Sequence, residues 1–158
     1  MRIIPKMLIA ICPALFAVSA CSSNSTTPEA KSELPTVVVT YSVLGNIVEQ
    51  LVGDAATVTT LIPDGQDPHE FEPSAKDIES LNNANIVVSN GLDFEEGLEE
   101  TLENAKTAGV NVFMAGDHIT VRELSDEGHD HGSFDPHLWL SPAAMLEMLP
   151  ELSETIGV

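Results

Sequence analysis

Most of the chemistry available to this chain resides in five histidines: His69, His118, His129, His131 and His137. Two of them close the same tripeptide, Asp67-Pro68-His69 and Asp135-Pro136-His137. In each, the proline restrains the backbone just before the imidazole. Each aspartate could accept a hydrogen bond from the ring or cap a turn. A carboxylate that orients an imidazole is common where the imidazole ligates a metal. The two tripeptides stand far apart in sequence, so only the fold can bring them together. Taken singly, either histidine would also fit a solvated surface loop. His129 and His131 sit in Ser125–Gly132 (SDEGHDHG). That stretch reads either as a solvated acidic loop or as a short metal-scavenging loop, since imidazole and carboxylate both bind zinc. His118, after Gly116 and Asp117, reads as a strand-end surface residue.

The elements that must position these side chains follow a repeating pattern. Thr36–Thr40 is a β-branched run that reads as a buried strand. Ser42–Leu51 places Val43, Ile47, Val48 and Leu51 at helical spacing, and Gly53 closes it. Thr57–Ile62 is a second strand, and Pro63–Pro68 (PDGQDP) is a loop that no regular element can continue. His69 therefore falls directly after a strand. Ser74–Ala84 reads as a helix with Ser74 as cap, Asp77 three residues on, and Ile78 and Leu81 on one face. Ile86–Val88 is a third strand and Asn90-Gly91 a turn. Phe94–Ala108 reads as an acidic helix with Leu98 and Leu102 inward, closed by Gly109, and Val110–Met114 as a fourth strand. Strands alternating with helices predict an α/β lobe, with a four-stranded parallel sheet and helices on both faces. Ligands of such sheets sit at the carboxyl ends of the strands. The glutamates Glu95, Glu96, Glu99, Glu100 and Glu103 read as a solvated face, and Trp139 as a packing anchor beside His137.

Composition narrows the partners. The chain has 158 residues, with 25 Asp and Glu against 6 Lys and Arg, for a net charge of −19. Nothing here could neutralise phosphates in number, so no nucleic acid is expected. A cation has the natural ligand sign. With aromatics at 4%, the core must be built from aliphatic residues, which suits a parallel sheet. There is no GxGxxG, P-loop, GxSxG, HExxH or CxxC pair, so the familiar enzyme classes have no foothold.

The first 21 residues read as an address. Arg2 and Lys6 are followed by an apolar run, Met7–Val18, interrupted by Pro13. This is the pattern of a secretory signal, too short and too soon interrupted for a membrane span. Val18–Cys21 (VSAC) resembles the bacterial lipobox, which makes Cys21 the acylated first residue of the mature chain. The expected organisation is a signal peptide over 1–20 and a lipid-anchored flexible tether over 21–35. A lobe over 36–140 and the start of a connecting helix over 141–158 complete it.

Three segments together carry a resemblance. They are Pro63–Ser74 (PDGQDPHEFEPS), Asn90–Glu95 (NGLDFE) and Asp135–Pro142 (DPHLWLSP). With the lipobox, they resemble the zinc/manganese ABC-transporter solute-binding lipoproteins, some of which are labelled metal-binding adhesins. The resemblance implies two βα lobes joined by one long helix, with one Zn2+ or Mn2+ ion in the cleft between them. It implies that the first lobe supplies two histidines, matching His69 and His137. The second lobe would supply a His or Glu and an Asp. It further implies no enzymatic activity, an extracytoplasmic location at a bacterial membrane, and delivery of the ion to an ABC permease. Two departures stand beside it. Only the first lobe is expected within the 158 residues, so the second is missing from this sequence, which suggests a fragment, a truncated product or a chain whose other half is elsewhere. Pro150 also falls inside the expected connecting helix, where it should kink or break it. The competing functional classes are a surface adhesin and a metallohydrolase using His69 and His137 with an activated water. The hydrolase would need a third ligand and a general base that no compact motif supplies.

Overall fold

The computed structural model describes residues 34–122 and 134–158. Strands β1 (Thr36–Tyr41), β2 (Thr57–Ile62), β3 (Ile86–Ser89) and β4 (Asn111–Met114) alternate with helices α1 (Ser42–Val52), α2 (Ala75–Asn82) and α3 (Glu99–Thr107). Helix α4 (Pro142–Ile156) follows. The four strands form one sheet in the order β2-β1-β3-β4, with every pairing parallel. This is the expected α/β lobe. The central strands are buried on both faces, and Val37, Val38, Val39, Val87 and Val88 are at most 1% exposed. That explains why they read as continuous β-branched runs rather than as alternating ones.

The chain leaves β1 toward β2 on one side and later returns to β3 on the other. With right-handed crossovers, this reversal puts α1 on one face of the sheet and α2 and α3 on the opposite face. It also leaves a crevice at the carboxyl ends of β1 and β3, the switch point where such sheets hold ligands.

Local sequence signals account for two of the helix starts. Ser74 caps α2 in a reciprocal box with Asp77. Ser141 caps α4, with Pro142 in its first turn. Helix α1 approaches β2 closely at Gly45, where a β-carbon would lie 2.3 Å from the Thr60 hydroxyl.

Five expectations need correction. The acidic helix is shorter than its charge pattern suggests: a 3-10 turn (Glu96–Leu98) precedes α3, which begins at Glu99. Glu95 is not part of a solvated face; it is 4% exposed. In α1 the buried positions are Leu44, Gly45, Val48 and Val52, while Val43 is exposed. In α2 only Leu81 is buried, and Ile78 is exposed. Pro150 does not break α4, which runs unbroken from Pro142 to Ile156. Its missing N–H orphans the Leu146 carbonyl. Leu146 and Pro150 both lie on the exposed side, where water can serve that carbonyl, while Met148 and Leu152 anchor the helix at 0% exposure.

Candidate metal centre

Four segments converge at the carboxyl edge of the sheet. The end of β1 contributes Thr40 and Tyr41, and the loop after β2 carries His69. The turn after β3 runs from Asn90 to Glu95, and the segment entering α4 carries His137 and Trp139. The imidazoles of His69 and His137 stand 5.8 Å apart, centre to centre, with ring planes at 59°. Two imidazoles sharing one zinc ion at Zn–N of about 2.1 Å stand roughly 5–6 Å apart. The fold thus brings together the two histidines that the tripeptides singled out. They border a cleft of about 320 Å³ whose walls include Tyr41, Pro63, Gln66 and Trp139.

An aromatic cluster sets the spacing of the rings. Phe94 is 2% exposed and meets His69 edge-on at 4.8 Å and His137 at 6.0 Å. Trp139 contacts Phe94 at 4.8 Å, Tyr41 at 5.3 Å and His137 at 5.3 Å. Behind the His69 loop, the 3-10 turn comes so close that a β-carbon on Gly97 would lie 2.1 Å from the Phe71 carbonyl oxygen. Only glycine permits that approach.

The two aspartates act differently. Asp67 Oδ1 accepts the His69 backbone N–H at 3.0 Å. Asp135 Oδ1 accepts the His137 backbone N–H at 3.1 Å and also lies 2.8 Å from His137 Nδ1. The backbone N–H of His137, and then its ring, hold the Asp135 carboxyl below its usual range. An ionised carboxylate only accepts, so His137 Nδ1 must donate, which in the neutral ring leaves the lone pair on Nε2. The His69 ring has Glu96 as its carboxylate neighbour, with Nδ1 3.9 Å from Oε1.

Four polar residues are buried among the described ones, Thr40, Ser89, Asn90 and Glu95. The Glu95 carboxylate accepts from the Thr40 hydroxyl and from the backbone N–H groups of Asn90 (2.8 Å) and Gly91 (3.3 Å). Burial pushes the Glu95 carboxyl up, and these hydrogen bonds only partly oppose it. Burial, with the Glu95 charge adding to it, also pushes the Tyr41 phenol up, so Tyr41 remains a donor. It donates to Asn90 Oδ1 at 2.9 Å. Sequence reasoning missed Glu95 because it is one acid among five neighbours. It lies ahead of the 3-10 turn, in the loop after β3, so no helical stripe marked it.

The remaining candidates stand apart from this centre. His118 is half-buried rather than at the surface and stacks on Phe113 at 4.4 Å and 8°. His129, His131 and Cys21 lie outside the described residues. Among the described residues, no group of three or more His, Cys, Asp or Glu side chains is arranged to hold a metal ion.

Residues 37–157 match the family described as zinc-uptake complex component A, periplasmic. The chain belongs to that family. The family comprises extracytoplasmic solute-binding proteins of metal ABC transporters, which are not enzymes. The iron ABC transporter substrate-binding lipoprotein MtsA of Streptococcus pyogenes is 36% identical over 132 residues, covering 80% of this chain and 42% of the relative. The manganese ABC transporter substrate-binding lipoprotein PsaA of Streptococcus pneumoniae is 32% identical, covering 89% of this chain and 46% of the relative. Among solved structures, the periplasmic zinc-binding protein TroA of Treponema pallidum superposes with a TM-score of 0.69 at 26% identity, over 78% of this chain and 43% of that one. Zn(II)-bound AdcA of Streptococcus pneumoniae gives a TM-score of 0.62 at 28% identity, over 78% of this chain and 28% of that one. The chain thus spans less than half the length of these family members. No helix among the described residues is long and apolar enough to cross a membrane.

Proposed function

We propose that this chain captures a divalent metal ion for an ABC importer, and that His69 and His137 are its ligands in this lobe. The supporting observation is the pair of imidazoles 5.8 Å apart at the sheet's switch point, one with its ring nitrogen assigned by Asp135. Zinc is the favoured ion. Nitrogen donors rank Zn2+ above Mn2+ and Fe2+ in the usual affinity order, although selection in cells also depends on geometry and availability. The relatives carry the names of iron, manganese and zinc proteins, so manganese and iron are the competitors. The organisation that fits this role is a signal over residues 1–20, an acylated Cys21 with a tether to residue 35, the metal-binding lobe over 36–140 and an interlobe helix from residue 141. Acylation would hold the lobe at the outer surface of a membrane, where a permease can receive the ion. Two protein donors leave coordination positions to water or to a further part of the assembly, so binding by this lobe alone should be detectable and loose.

Calorimetry with Zn2+ on three proteins tests the reading: the chain itself, His69→Ala with His137→Ala, and His129→Ala with His131→Ala. The first double variant should lose binding and the second should keep it. The reverse pattern would move the site to the Gly128–Gly132 loop.

A further inference from the structure

The turn after β3 does more than connect it to α3. Gly91, Leu92 and Asp93 all have positive φ, at 74°, 57° and 58°. For Leu92 and Asp93 the left-handed region is strained. Such a turn persists only where its surroundings hold it. Glu95 does so from inside, taking the backbone N–H groups of Asn90 and Gly91 while its other partner, Thr40, fixes it to β1. Asn90, 0% exposed, then reaches across the switch point. Its side-chain amide donates to the Pro136 carbonyl at 2.8 Å, and its Oδ1 accepts from Tyr41. Pro136 immediately precedes His137. The same turn carries Phe94, which packs edge-on against the His69 ring, whereas Asn90 bonds the peptide beside His137.

We propose that Asn90 and Glu95 are positioning residues for the metal ligand His137: Glu95 holds the turn, and Asn90 carries that constraint to the peptide just before the imidazole. This rests on the reading of His69 and His137 as ligands. The network spans both sides of the crevice, β1 through Thr40 and Tyr41 and β3 through Asn90. One buried unit therefore registers the His137 segment against the sheet. Because Asn90 bonds the peptide next to His137, loss of its side chain should fall mainly on that imidazole.

That asymmetry supplies the test. Two parent proteins, His69→Ala and His137→Ala, each keep one imidazole of the pair. Zn2+ is titrated into each while the remaining ring's 1H–15N NMR signals are followed. Asn90→Ala is then added to both. In the chain that keeps His137, the apparent zinc affinity should fall about tenfold, the scale of losing an outer hydrogen-bond partner of a ligand. In the chain that keeps His69, it should change by no more than about twofold. Asn90→Asp, which keeps the acceptor for Tyr41 but lacks the donor to Pro136, should reproduce the pattern if Asn90→Ala folds poorly. Glu95→Gln should weaken the His137 chain in the same direction. Equal losses in both parents would show general loosening and overturn the proposal, as would no loss in either. If Zn2+ moves neither ring in the unsubstituted chain, the ligand assignment itself fails, and that outcome is seen before any positioning variant is made.

Discussion

The two Asp-Pro-His loops have the same tripeptide and different support. Around His69 the aspartate serves only the backbone N–H, and the ring is placed by its edge contact with Phe94, with Glu96 near Nδ1. Around His137 one aspartate oxygen serves both the backbone and the ring, and the preceding carbonyl is held by Asn90. His137 is the more exposed side chain, 37% against 20%. The difference teaches that a motif fixes the local turn, while the surrounding fold decides how firmly the imidazole within it is aimed. The more exposed ring meets Asp135 through its Nδ1, and the more buried one packs edge-on against Phe94 with Glu96 near its Nδ1.

This comparison can be broken or sharpened by substitution. The largest effect should come from removing both rings: His69→Ala with His137→Ala should lower zinc affinity by more than the roughly 10–100-fold typical of losing an outer partner, measured by calorimetry. Next is Phe94→Ala, which removes the ring that both imidazoles contact. It should cost about 3 kcal/mol or more of stability, read from urea unfolding, and should weaken binding through His69 more than through His137. Asp135→Asn should reduce zinc affinity about tenfold, because His137 loses the carboxylate that assigns its tautomer. Asp67→Asn should have a smaller effect, since its partner is a backbone N–H. Equal effects of the two Asn variants would remove the distinction drawn here. The smallest effect concerns Glu95, which supports the His137 side. Its carboxyl is raised in the folded state, mainly by burial. The folded chain therefore binds that proton more tightly than the unfolded one. The associated stabilisation is full below the ordinary carboxylate value of about 4.3 and is lost as pH rises through the higher folded value. Across that window the parent should lose stability relative to Glu95→Gln, by at most about 1.4 kcal/mol per pH unit. Urea midpoints of the two proteins over a pH series measure this.

The strands, their parallel pairing and the two histidines were legible because their signals are local or repeated. β-branched runs mark buried parallel strands, and the same tripeptide occurs twice. Less was legible where tertiary contacts override pattern. Val43 fits a helical stripe by spacing but faces outward, because Gly45 brings α1 down onto Thr60 with a different face inward. Glu95 was hidden among neighbouring acids, because its burial comes from the turn after β3 and not from a helical stripe. Pro150 predicted a disrupted helix, but its exposed position leaves the buried anchors Met148 and Leu152 in place. Nor could sequence separate the roles of Asp67 and Asp135, since the distinction depends on which way each ring turns.

The central claim is that His69 and His137 together ligate the ion. X-ray absorption at the zinc edge of the loaded chain tests it most directly. The predicted result is a nitrogen/oxygen shell at about 2.0–2.1 Å, with imidazole scattering that disappears in the His69→Ala, His137→Ala double variant and persists in the His129→Ala, His131→Ala one. Imidazole scattering that survives loss of His69 and His137, or a sulfur shell at about 2.3 Å from the cysteines, would contradict it.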